Sequence, residues 1–147
     1  MNADDVSTVQ RTWSELRRRR TLLLEDLTCR LAVLSAGNIS ARLRASWLYS
    51  AVDELVDLLA SPSRLAERAR DLGATWPDPS TAPCYAVEGR AWMAAAAAVL
   101  PGWTDANDAA WRQAWLLLSD VLAAETLSPF ADCWHREEAS QDSSSTG

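Results

Sequence analysis

The apolar residues of this chain recur every three or four positions, which is the spacing of one face of an α-helix. The first stripe runs from Val6 to Leu16 and predicts a helix that ends near Arg19. Two similar stripes follow, formed by Leu24, Leu27, Leu31 and Leu34, and then by Leu48, Ala51 or Val52, Leu55 and Leu59. No segment alternates apolar and polar residues with a period of two. The pattern predicts an all-α bundle of about six main helices.

Capping residues indicate where the second helix ends and where the third and fourth helices begin. Gly37 can end the second helix in a left-handed conformation. Asn38 or Ser40 can cap the third helix, because their side chains accept hydrogen bonds from free backbone amides. Ser61 followed by Pro62 predicts the start of the fourth, with a capping hydroxyl and a proline in the first helical position.

A break rich in proline divides the second half of the chain. The fourth helix should end at Trp76, because Pro77 and Pro79 lack a backbone N–H and disfavour helix in the preceding residue. A fifth helix can restart at Pro83 with Thr81 as its N-cap. The apolar faces predicted on either side of the break are Leu65, Ala69, Leu72 and Trp76, and then Val87, Ala91, Ala94 and Ala98.

The last helix follows a Pro-Gly pair at 101–102 and is capped by Thr104 or Asp105. Its inward residues are Trp111, Ala114, Trp115, Leu118, Val121 and Leu122. From about Arg136 the residues are polar and form no apolar face. We therefore expect one helical domain over residues 1–135 and a disordered polar tail over 136–147.

Composition narrows the range of functions. The net charge of −6 argues against a nucleic-acid partner, and the short basic run at 17–20 is typical of a solvated helix end. No apolar run is long enough to span a bilayer, and the first ten residues lack a signal-peptide pattern. We expect a soluble, cytoplasmic protein without membrane association. Its cysteines, Cys29, Cys84 and Cys133, are too widely spaced to predict a disulfide framework or a zinc site.

Several short segments occur in an order and spacing that are informative together. They are LTCRL at 27–31, LG at 72–73, PCYAVEG at 83–89, PGWT at 101–104 and AWRQA at 110–114. In this order they resemble the haem domain of bacterial flavohaemoglobins and of their single-domain globin relatives. The resemblance covers roughly residues 6–125 and implies a globin-like arrangement of the helices.

The resemblance also assigns positions around a haem pocket. In this family a proximal histidine at the end of the helix before the break binds the iron, and Trp76 stands at that position. Arg44 falls on the distal position, and Thr28 falls on that of the distal tyrosine. Tyr85 and Glu125 lie near the residues that brace the proximal histidine. The candidates for a remnant ligand pocket are therefore Thr28, Arg44, Leu48, Trp76, Tyr85 and Glu125.

The residue types at these positions argue against haem chemistry. The indole of Trp76 has an N–H donor but no free lone pair in the ring plane, so it cannot ligate iron. His135, the single histidine, follows the last helix and cannot reach the proximal position. A thiolate or a tyrosinate can hold haem iron, so Cys84 or Tyr85 is the metal ligand only if haem binds after all.

Structural roles are the alternative for the same residues. Trp76 continues an apolar stripe and can fill core volume that haem would otherwise occupy. Arg44 lies on or beside an inward face, where it must reach water, pair with a carboxylate such as Glu54 or Glu125, or bind an anionic ligand.

The sequence contains no Gly-rich phosphate loop, no GxSxG or HExxH motif and no second histidine, so we expect no enzymatic activity. The main hypothesis is a globin-like regulatory, sensor or interaction module without a cofactor. It would bind a small apolar or anionic ligand, a protein partner or a second copy of the chain. One alternative is a haem globin with unusual ligation that binds O₂ or NO. Another is a structural subunit with Trp134 at an interface.

Overall fold

The computed structural model of the protein describes residues 1–34, 40–76 and 85–123, and within them it contains six α-helices and no strand. This result confirms the all-α prediction. None of these helices is both long and apolar enough to cross a membrane. The helices are α1 (Ala3–Arg17), α2 (Arg20–Leu34), α3 (Ala41–Val56), α4 (Pro62–Gly73), α5 (Tyr85–Val99) and α6 (Asp105–Ala123).

Side-chain caps begin three of the helices. The side-chain oxygens of Asn2, Ser40 and Thr104 each accept a hydrogen bond from a backbone amide three residues later. Ser61 behaves differently from its prediction. Its side chain makes no capping bond, although Pro62 occupies the first turn of α4 as expected. The fixed φ of proline supports this helix start without help from the serine hydroxyl.

Three helices end earlier than their patterns predict. α1 ends at Arg17, and α3 ends at Val56, before the Leu59 of its predicted stripe. α4 ends at Gly73, so Trp76 lies beyond the helix. The Thr75 hydroxyl donates to the Leu72 carbonyl at 2.7 Å. This local bond offers the backbone an alternative to another helical turn.

Several predicted features lie outside the described residues. They are the terminators and caps at Gly37, Asn38 and Thr81, the prolines Pro77, Pro79 and Pro83, and the tail at 136–147.

The buried face of α5 differs from the predicted one. Val87 and Ala94 are half-buried and Ala98 is exposed, whereas Ala91 and Trp92 are buried. A run of alanines gives little contrast between faces, so the large indole of Trp92 determines which side points inward. The buried residues are Tyr85, Glu88, Gly89, Ala91, Trp92, Ala95 and Ala96.

The helices form one core in which α2 packs against both α3 and α5, while α6 packs against α1 and α4. Four rings join α1, α3, α5 and α6 at its centre. In this aromatic cluster, the ring centroids of Trp13 and Tyr49 are 5.1 Å apart, those of Trp13 and Trp92 5.5 Å, and those of Trp92 and Trp111 5.9 Å. Such contacts add to the stability gained from burying the rings.

The close approach of α5 and α6 depends on Gly89. A Cβ at this position would overlap the indole of Trp115, so only glycine leaves room for the ring. The Trp115 Nε1 atom donates to the backbone carbonyl of Tyr85 at 2.9 Å. This contact fixes the start of α5, the helix that carries the buried Glu88.

Candidate functional site

A buried ion pair connects the first turns of α3 and α5. The Nη2 atom of Arg44 donates to the Oε1 atom of Glu88 at 2.9 Å. The two side chains are 8% and 1% exposed, so both charges lie out of water. We call this pair the Arg44–Glu88 bridge. Since α3 and α5 both pack on α2, the bridge links two helices that share a third as their support.

The charge of Glu88 is costly at this position. Burial raises the pKa of its carboxyl to about 7, while the charge and the hydrogen bond of Arg44 act in the opposite direction. The Oε2 atom is buried and has no hydrogen-bond partner among the described residues. Desolvation therefore outweighs the attraction to Arg44, and the carboxyl gains or loses its proton close to neutral pH.

The structure gives Arg44 a partner that the sequence did not suggest. Pairing within the chain was one expected solution, but Glu54 pairs instead with Arg68 at 2.6 Å, and Glu125 lies outside the described residues. Glu88 was missed because the alanine stripe set the predicted face of α5. Its spacing of three after Tyr85 and four before Trp92 is the signal that places it inward.

Trp76 is half-buried and packs against the core just after α4. Its ring meets that of Trp47 edge-on, with centroids 4.9 Å apart and an angle of 86°. Trp47 in turn donates from Nε1 to the Thr75 hydroxyl at 3.1 Å. The indole of Trp76 therefore packs the end of α4 against α3, which is a structural role.

The remaining described candidates are also built into the helix packing. The Thr28 hydroxyl donates to the Leu24 carbonyl at 2.6 Å, within α2. Leu48 is buried in the core one turn after Arg44, on the same face of α3. Tyr85 is 1% exposed. These candidates lie on three different helices, Thr28 on α2, Leu48 on α3 and Tyr85 on α5, while Trp76 follows α4.

The described residues at the positions implied for haem do not fit haem ligation. The proximal position carries an indole that cannot bind iron, and the distal position carries a guanidinium bound to Glu88. Tyr85 offers a phenol oxygen, but it is buried, and Cys84 lies outside the described residues. In the part of the chain that the structure describes, no group of three or more His, Cys, Asp or Glu residues could hold a metal ion.

Two open grooves lie beside α5. One, of about 720 Å³, runs between α5 and α6, and Tyr85 is the pocket candidate that lines it. The other, of about 560 Å³, is lined by residues of α2 and α5 and contains the exposed thiol of Cys29. Neither groove is lined by Arg44, Leu48 or Trp76, so neither is the remnant pocket that the sequence predicted.

Comparison of the chain with protein-family models, with curated proteins and with solved structures gives no match. The globin resemblance thus stays a prediction based on the short sequence segments. The established features are the six-helix, all-α fold of the described residues and the Arg44–Glu88 bridge inside it.

Proposed function

We propose that the chain is a non-enzymatic, globin-like module that works without haem as a regulatory, sensor or interaction domain. Its responsive region is the Arg44–Glu88 bridge itself, with Tyr85 three residues before Glu88 on α5. The observation that carries the proposal is the bridge itself. It binds the side chain at the implied distal position to another helix, while Trp76 occupies the implied proximal position.

Buried charge supports a responsive role more than a purely structural one. A buried ion pair often stabilises a fold no better than apolar residues of the same volume, because both charges lose their hydration. A perturbed carboxyl in the core is also a common feature of functional sites. Arg44 offers a guanidinium that a small anionic molecule could share or take from Glu88, and this chemistry defines the ligand class we propose.

Titration with hemin tests the absence of haem. We expect the purified protein to show no sharp, stoichiometric Soret band, because Trp76 supplies no ligand to iron. A stoichiometric band that Tyr85→Phe or Cys84→Ala abolishes would replace our proposal with a haem globin of unusual ligation.

The variant Trp76→His tests the implied position of the proximal ligand. If the globin resemblance is correct, an imidazole at position 76 should confer hemin binding. Trp103→His is the matched control, because Trp103 is another half-buried tryptophan but lies before α6. Equal hemin binding by both variants, or by neither, would remove the support for a globin pocket. Native mass spectrometry of protein purified from cells would then identify a bound anion or a stable oligomer.

A further inference from the structure

The geometry of the Arg44–Glu88 bridge leaves an ionised carboxylate incompletely hydrogen-bonded. Oε1 accepts the hydrogen bond from Arg44, whereas the buried Oε2 atom has no donor among the described residues. An ionised carboxylate has about four acceptor sites to satisfy. A protonated one has no charge to solvate, although its O–H on Oε2 also lacks a partner among the described residues, while Oε1 acts as the carbonyl oxygen.

Few charges surround Glu88 to keep it ionised. Arg44 faces it from α3, and Tyr85 is the titratable residue one turn earlier on its own helix. α5 also packs against α2 and α6, but no charged residue in the described parts of these two helices contributes to the pKa of Glu88. The positive end of the α5 dipole favours the carboxylate, yet burial outweighs both this dipole and Arg44.

We propose that the Arg44–Glu88 bridge is a proton-sensitive link between α3 and α5, closed while Glu88 holds a proton on Oε2 and weakened when that proton leaves. Loss of the proton creates a buried charge with a single donor, and water can supply the missing hydrogen bonds only if the first turns of α3 and α5 separate. One proton passes from Oε2 to solvent for each link that ionises. The proposal holds whether or not the chain binds haem.

The direction of the pH effect follows from linkage. The pKa of Glu88 is about 7 in the closed link, against an ordinary value of 4.5 for a hydrated glutamate. Protons therefore bind more tightly to the closed state, and raising the pH favours the open one. The open fraction should rise by up to about tenfold per pH unit between these two pKa values and level off above the higher one.

Hydrogen exchange measures the opening directly. Exchange of the backbone amides of α3 and α5 is followed in the wild type and in Glu88→Gln. The side-chain amide of the glutamine has the shape of the neutral carboxyl. The two proteins are compared at the same pH, so the intrinsic exchange rate cancels. At pH 8 we expect exchange at least about tenfold faster in the wild type, and at pH 5.5 a much smaller difference. Amides of α1 should not show this change.

Glu54→Gln is the matched control, because Glu54 also pairs with an arginine but at the surface. It should exchange like the wild type at both pH values. A ratio between wild type and Glu88→Gln that stays constant with pH would overturn the proposal. If Glu88→Gln does not fold, NMR of the ¹³C-labelled Glu88 carboxyl in the wild type decides. A midpoint between pH 6 and 8 supports the link, and one below pH 5.5 overturns it.

Discussion

The aromatic cluster and the Arg44–Glu88 bridge connect some of the same helices by opposite means. In the cluster, Trp13 lies between a ring of α3 and a ring of α5, and the helices meet through aromatic ring contacts. The bridge makes its connection through a buried guanidinium and a buried carboxyl group. The bridge lies at the first turns of α3 and α5, and Tyr49 and Trp92 of the cluster follow about one turn later.

The two regions differ in the kind of polar atom that each leaves without a hydrogen bond. In the cluster, the indole of Trp13 donates to Asp53 at 3.0 Å, and that of Trp111 donates to the Thr12 hydroxyl at 2.7 Å. The Nε1 atom of Trp92 in the cluster and the Oε2 atom of Glu88 in the bridge are both buried without a partner among the described residues, but only the carboxyl can ionise. In our proposal the cluster therefore supplies stability and the bridge responds to protons and ligands, since an incompletely satisfied buried charge is sensitive to both.

Of the variants considered, Trp111→Ala should reduce the free energy of unfolding most. Trp111 is fully buried, so its removal leaves a large cavity and an expected loss of about 3–5 kcal/mol in the free energy of unfolding. The loss should change little with pH, because the indole does not titrate. Urea denaturation at pH 5 and pH 8 measures it. Trp103→Ala, at a half-buried tryptophan, should cost less. A loss below about 1 kcal/mol for Trp111→Ala would contradict the central role of the cluster.

Glu88→Gln should have a smaller effect whose size depends on pH. The folded-state pKa of about 7 lies above the ordinary 4.5, so the wild type loses stability as pH rises through this window. Gln does not titrate. Between pH 4.5 and pH 8, the free energy of unfolding of the wild type should therefore fall by up to about 3 kcal/mol relative to that of the variant. If the wild type instead became more stable relative to the variant over this range, the charge of Arg44 would affect the pKa of Glu88 more strongly than burial does.

The sequence predicts most of the fold because the fold depends on periodic burial. Stripes such as Val6 to Leu16 and Trp111 to Leu122 are amphipathic enough for the 3.6-residue period to locate their helices. The exception is α5, where alanines fit almost any face. There the orientation is decided by Trp92, which packs against rings from α1 and α6 that are distant in sequence.

The candidate site is predicted less completely, for a related reason. The position of Arg44 on the inward face of α3 was readable from its spacing to Leu48. Its partner was not, because Glu88 is 44 residues away and the choice among carboxylates depends on how three helices pack. The length of α4 was also misjudged, since the Thr75 hydroxyl ends a pattern that the apolar spacing alone would extend to Trp76.

Glu54→Gln should have the smallest effect on the free energy of unfolding. Glu54 and Arg68 approach to 2.6 Å, as closely as a buried pair, but their side chains are 39% and 44% exposed. Water and salt screen such a pair, and Arg68 keeps Asp71 at 3.5 Å as a second partner. We expect a loss of about 0–1 kcal/mol in the free energy of unfolding, decreasing with added salt. A loss as large as the pH-dependent effect at Glu88 would mean that burial does not distinguish the two ion pairs.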